Sequence, residues 1–222
     1  MERIPSKKGR KFWGEPWWEP LHSAAASYTP DQAQAYKSLV KAYTALIPCH
    51  QCRDHFRQNL IKYPIDRYLK NNVELLFWTY IIHDAVNQTH NIHRPDDTPK
   101  VSPPFEQVRV KYMRPQNWEK SWWFVLHSAA ASYEEDHADD YISLVYAYTI
   151  LLPKQTREQF KRAIAKAPVE RYLRNNQELF FWSYLIFDMV TRTSPTIKLV
   201  PYEDVRRYYF MGLGEECKAC NL

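Results

Sequence analysis

The sequence predicts an all-α protein made of two tandem four-helix bundles. Composition, periodicity and an internal repeat point to it. Only 4 Gly stand among 222 residues, against 16 Tyr, 8 Trp and 10 Phe, which leaves little turn material for a sheet protein and much bulky surface for packing helices. Apolar residues recur at three- and four-residue steps, and period-two alternation is nowhere sustained. Finally, the run from Trp18 to Tyr28 returns from Trp123 to Tyr133 with the same Leu-His-Ser-Ala-Ala-Ala-Ser-Tyr ending, and the register then holds at an offset of about 105.

The polar start, Met1 to Lys7, has no apolar stretch, so no signal peptide and a cytoplasmic protein are expected. A first helix is expected from about Trp17 to Tyr28. Thr29-Pro30-Asp31 starts a second, whose Tyr36, Leu39, Val40, Tyr43, Leu46 and Ile47 share one face. A third follows Pro48, Tyr63-Pro64-Ile65-Asp66 breaks the chain, and a fourth runs from near Val73 to about Thr89. Residues 10–95 thus form the first bundle. Residues 96–115 are expected to be a linker, because Arg94-Pro95 and Pro103-Pro104 cannot continue a helix. Residues 116–194 form the second bundle, and 195–222 a tail with a helical stretch near Tyr202 to Tyr209.

Bulk properties exclude some classes. The formal charge of +5 comes from 30 basic and 25 acidic residues, a solvated mixture that predicts no nucleic-acid partner. The most apolar window, Leu75 to Ile82, falls short of the roughly 20 residues of a membrane span, so no membrane is expected.

The four cysteines form two pairs of equal spacing, Cys49/Cys52 and Cys217/Cys220. Pro48 ends one helix and Cys49 opens the next, where unpaired N–H groups and the dipole favour a thiolate. The alternatives are buried structural thiols or a zinc site shared by both pairs. Zinc knuckles usually place glycine in a tight turn after the first cysteines, whereas Arg53-Asp54-His55-Phe56 continues a helix, so redox chemistry is favoured and no metal is expected. The pair alone names no electron acceptor, and no βαβ pattern suggests a thioredoxin-like domain.

From Trp13 to about Pro95 the chain resembles the Erv/ALR family of FAD-dependent sulfhydryl oxidases, especially the compact forms of large DNA viruses. Trp13-Gly14, Trp18, Leu21-His22 and Tyr28 match its entry motif. Pro48, Cys49, Cys52 and Phe56 match its cysteine step, and Phe77-Trp78 its aromatic helix. His83-Asp84-Ala85-Val86-Asn87 then matches its His-Asn-x-Val-Asn signature, followed by Arg94-Pro95. Asp84 stands where the family has Asn, and about two extra residues precede Arg94, with His90 and His93 as substitutes.

The resemblance implies FAD held by Trp13, Gly14, Trp18, His22, Tyr28, Cys52, His83, Val86, Asn87 and Arg94. It implies Cys49 and Cys52 as catalytic residues, with Cys49 attacked by the incoming thiol and Cys52 beside the flavin. Cys217 and Cys220 would be a shuttle, and the partners would be thiol-containing protein substrates and dioxygen, reduced to hydrogen peroxide. It also implies a place in the cytoplasm, viral factory or virion.

The second copy keeps Trp118, Trp123, His127, Tyr133 and Trp182. It has Glu119 for Gly14, Phe187 for His83 and Thr191 for Asn87, and Lys154-Gln155-Thr156-Arg157 stands where the cysteines would be. It is expected to be a structural copy and bind no flavin; since members of the family the chain resembles pair as two bundles, the resemblance implies an intramolecular pseudo-dimer, leaving the protein monomeric. The competing classes are a non-enzymatic helical scaffold and a zinc module.

Overall fold

In a computed structural model the described residues are 14–93, 98–114, 119–192 and 200–220, with the side chains of His93 and of 212–220 outside the description. The described chain is all-helical, without a strand. Helix α1 (Gly14–Ala26) begins three residues ahead of the expected Trp17. Pro16 sits in its first turn, where a missing N–H costs no helix bond. It also ends early, because Tyr28 N–H turns back to the Ala25 carbonyl at 3.3 Å.

A 3-10 turn at Pro30–Gln32 leads into α2 (Ala33–Leu46), then α3 (His50–Lys62), a second 3-10 turn at Ile65–Tyr68, and α4 (Asn72–His93). After α5 (Phe105–Met113) the same order recurs: α6 (Glu119–Ala131), α7 (Ala138–Leu151), α8 (Lys154–Lys166) and α9 (Asn176–Thr191), closed by α10 (Tyr202–Cys220).

The expected linker needs correcting, since its second half is α5. Pro103-Pro104 does not break a helix there. Pro104 is its N-cap residue, a position that needs no N–H, and Val108 and Tyr112 bury the helix against α1 and α4. α10 mirrors it on α6 and α9. Pro104-Phe105-Glu106, Val108-Arg109 and Tyr112 match Pro201-Tyr202-Glu203, Val205-Arg206 and Tyr209, at an offset of about 97 that the main repeat conceals. Tyr112 lies 4.7 Å from His22 and Tyr209 lies 5.3 Å from His127, centroid to centroid.

Matching hydrogen bonds lock the two runs of helices. Tyr36 Oη donates to the Leu21 carbonyl (2.9 Å) and Tyr141 Oη to that of Leu126 (3.1 Å). Trp78 Nε1 donates to the Tyr63 carbonyl (2.8 Å) and Trp182 Nε1 to that of Ala167 (2.7 Å). Tyr28 and Tyr133 likewise hold Leu69 and Leu173. The bonds to Tyr63, Ala167, Leu69 and Leu173 each tie a large buried aromatic to the carbonyl of a residue that closes a helix or 3-10 turn.

Helices α2 and α7 pack on each other, as do α1 and α6. The faces of Tyr36, Leu39, Val40 and Tyr43, and of Tyr141, Leu144, Val145 and Tyr148, are buried throughout. Across this junction Trp17 Nε1 donates to Ser128 Oγ at 3.1 Å, and Ser121 Oγ donates to the Glu19 carboxylate. No described helix is long and apolar enough to cross a membrane.

Candidate active site

Between the first four helices lies a cavity of about 440 Å³, within the range of small-molecule and cofactor sites. Its reactive edge is set by the break between α2 and α3. Ile47 leaves helical geometry, Pro48 prevents its resumption, and Cys49 becomes the N-cap residue of α3 with extended φ/ψ of −90°/116°. Cys49 Sγ accepts from Cys52 N–H at 3.3 Å, the bond that an N-cap serine oxygen would make. A charge on that sulfur is therefore stabilised by the helix end. Cys49 is 4% exposed while Cys52 is half-buried. Both line the cavity.

Trp18 of α1 and His83 of α4 form the aromatic wall, stacked at 4.1 Å and 8° between planes. His22 lies behind them, not on the wall: it is 2% exposed, its Nε2 is 3.1 Å from His83 Nδ1, and its Nδ1 is 2.7 Å from Thr79 Oγ1. Burial, with the nearby His83 and Lys111, holds the His22 pKa well below the usual imidazole range. Burial first, then Lys100, pushes that of His83 down to about 4, with Asp84 opposing. Both rings are neutral at neutral pH.

The expected positions divide. Gly14, Trp18, Cys52, His83, Val86 and Asn87 do line the cavity, with Cys49. Tyr28 does not, since its hydroxyl is spent on the Leu69 carbonyl and its role is in the packing of the bundle. Trp13 and Arg94 lie outside the described residues, as do the side chains of Cys217 and Cys220, whose backbone falls within α10.

Sequence reasoning missed the wall supplied by the segment 98–104. Asn91 clamps Lys100 at both ends of its peptide, donating from Nδ2 to its carbonyl (2.9 Å) and accepting from its N–H (2.8 Å). One turn earlier Asn87 Nδ2 donates to Ser102 Oγ at 3.0 Å. These bonds lay Lys100, Val101 and Pro103 along the cavity. The available signal was two Asn at i, i+4 on one helix face followed by an extended Pro-rich stretch.

Tyr43 adds a test of fit. Tyr43 lines the cavity and its buried hydroxyl has no hydrogen-bond partner among the described residues, whereas the matching Tyr148 donates to the Trp122 carbonyl at 2.7 Å. An aromatic wall with His90 and Lys100 lining a largely apolar cavity suits a flat heteroaromatic ligand that also carries anionic groups. In the second bundle Phe187 packs edge-on against Trp123 at 5.2 Å and occupies the position of His83. Glu119 accepts from Thr156 Oγ1 at 2.9 Å, across positions that match Gly14 and Cys52.

Residues 15–106 match the Erv1 / Alr family. The chain is 26% identical over 106 residues to a protein of Invertebrate iridescent virus 3, and 32% identical over 80 residues to one of Acanthamoeba polyphaga mimivirus, both named as FAD-linked sulfhydryl oxidases. An FAD-linked sulfhydryl oxidase of Saccharomyces cerevisiae is 27% identical over 92 residues. These alignments cover 46%, 34% and 40% of the chain, and 69%, 56% and 46% of the respective relatives. No solved structure matches.

Proposed function

Taking residues 15–106 as an Erv1/Alr family domain, we propose that this chain is an FAD-dependent sulfhydryl oxidase that forms disulfides in protein substrates. The observation that carries it is the placing of Cys49 and Cys52 on the wall of the cavity that the Trp18–His83 stack also lines. The net reaction takes two electrons and two protons from a dithiol, making one S–S bond, and reduces dioxygen to hydrogen peroxide. Bound FAD would supply a two-electron acceptor that dioxygen can reoxidise.

The chain's own residues supply the rest. A substrate thiolate attacks Cys49 of the Cys49–Cys52 disulfide, Cys52 leaves as thiolate, and the second substrate thiol resolves the mixed disulfide. Helix α3 lowers the cost of charge at its N-terminus, while Tyr43, Ile47 and Phe56 keep water from the sulfurs. Trp18, His83, Val86 and Tyr43 would hold the cofactor's flat portions, and Lys100 with His90 would face its diphosphate. Cys217 and Cys220 serve as the shuttle that carries electrons from bulky substrates to the buried Cys49. The second bundle, lacking the cysteines and His83, serves as an internal partner, so that one chain forms a pseudo-dimer. Two of the three relatives come from large DNA viruses, which favours a viral setting for the activity.

The test is oxygen consumption with dithiothreitol. Cys49→Ser and Cys52→Ser each fall at least about 100-fold while retaining FAD, since the cysteines carry the chemistry and little of the binding. Variants that consume oxygen as fast as the unmodified chain overturn the proposal.

A further inference from the structure

His22, His83 and Thr79 form a hydrogen-bonded chain whose direction can be read from its inner end. Thr79 Oγ1 lies 2.7 Å from the Leu76 carbonyl and 2.7 Å from His22 Nδ1. A carbonyl only accepts and a threonine hydroxyl has one proton, so Thr79 donates to Leu76. Thr79 then accepts from His22, which places the His22 proton on Nδ1. His22 is wholly buried and neutral, so its Nε2 carries a lone pair. Its neighbour at 3.1 Å, His83 Nδ1, must therefore donate. His83, also neutral, is left with a bare Nε2 on a side chain that lines the cavity. Free histidine in water favours the opposite tautomer, with its proton on Nε2.

We propose that Thr79 is a positioning residue that, through His22, fixes His83 as a hydrogen-bond acceptor for an N–H or O–H donor of the bound ligand. The inference rests on the flavin reading above and goes beyond it by assigning the polarity of one ligand contact. The second bundle separates the structural part of the chain from the functional part. Ser183 Oγ donates to the Phe180 carbonyl (2.8 Å) and meets His127 Nδ1 at 2.9 Å, repeating the inner links. The outer link is missing, because Phe187 holds the position of His83. Anchoring the first histidine is thus common to both bundles. Only the cavity-bearing bundle passes that polarity on to a ligand wall.

The experiment combines 15N NMR of the histidines in the full chain with FAD affinity by fluorescence quenching. In the unmodified protein His83 carries its proton on Nδ1. Thr79→Val removes the acceptor for His22, shifts His83 towards the Nε2–H tautomer and weakens FAD binding about 10-fold. Thr79→Ser, the residue type found at 183, keeps both the tautomer and the affinity. His83 protonated on Nε2 in the unmodified chain overturns the inference, as does a folded Thr79→Val that binds FAD equally tightly. If the unmodified chain takes up no FAD at all, the flavin reading and this inference fall together.

Discussion

Gly14 and Glu119 stand at matching places at the start of α1 and α6, and their side chains decide what the bundle behind them can hold. Glu119 reaches across to Thr156, while Gly14 sends nothing towards Cys52 and leaves that edge of the cavity open. Gly14→Glu should therefore reduce FAD affinity at least about 10-fold with helix content unchanged, as measured by quenching titration beside circular dichroism; retained affinity would remove glycine from the account. The two neutral imidazoles carry a pH dependence. His83 titrates near 4 when folded and near 6.5 when unfolded, so between these values the unfolded chain binds more protons. Stability is full above pH 6.5 and falls as pH drops towards 4, and buried His22 acts in the same direction. Denaturant midpoints at pH 7 and pH 4.5 test this. His83→Phe, the residue type at 187, should flatten the decline.

Among the elements, the segment 98–104 that precedes α5 supplies one wall of the site through Lys100, Val101 and Pro103. Asn87 and Asn91, one turn apart on α4, pin Ser102 and Lys100 against the cavity. Lys100→Gln should weaken FAD binding and reduce its salt sensitivity, since exposed charge attraction is screened by salt. Asn91→Ala should do the same, and the double variant should be no worse than either alone. Additive losses would mean that the clamp does not act through Lys100. The helices that build the bundle were legible because their apolar faces repeat at helical spacing, and the site's core because Cys49, Cys52, Trp18 and His83 fall in a recognisable order. The wall at Lys100 to Pro103 was not, because two prolines read as a break and only the Asn side chains of α4 reveal where the chain lies. Tyr28 falls outside the cavity lining for a related reason: a motif position does not reveal that a hydroxyl is spent on a distant carbonyl.

For the whole molecule, the second run of helices repeats the packing of the first without counterparts of Cys49, Cys52 and His83. Its α7 covers the α2 face that carries Leu39 and Tyr43, and its Ser128 holds Trp17, a residue of the cavity wall. Leu39 is fully buried, so Leu39→Ala should cost about 2–5 kcal/mol of stability, read by denaturant unfolding. A half-chain ending near Pro99 should self-associate or aggregate through the uncovered α2 face; a monomeric, well-folded half in sedimentation would show that the two bundles are independent. The central claim, that the leading bundle holds a flavin beside Cys49 and Cys52, is tested most directly by the absorbance spectrum of the full chain after incubation with FAD and gel filtration. The account predicts a yellow protein with about one flavin per chain, bleached by dithiothreitol without oxygen in the unmodified protein and not in Cys49→Ser. A colourless protein, or a bound flavin that dithiothreitol bleaches equally in both, would contradict it.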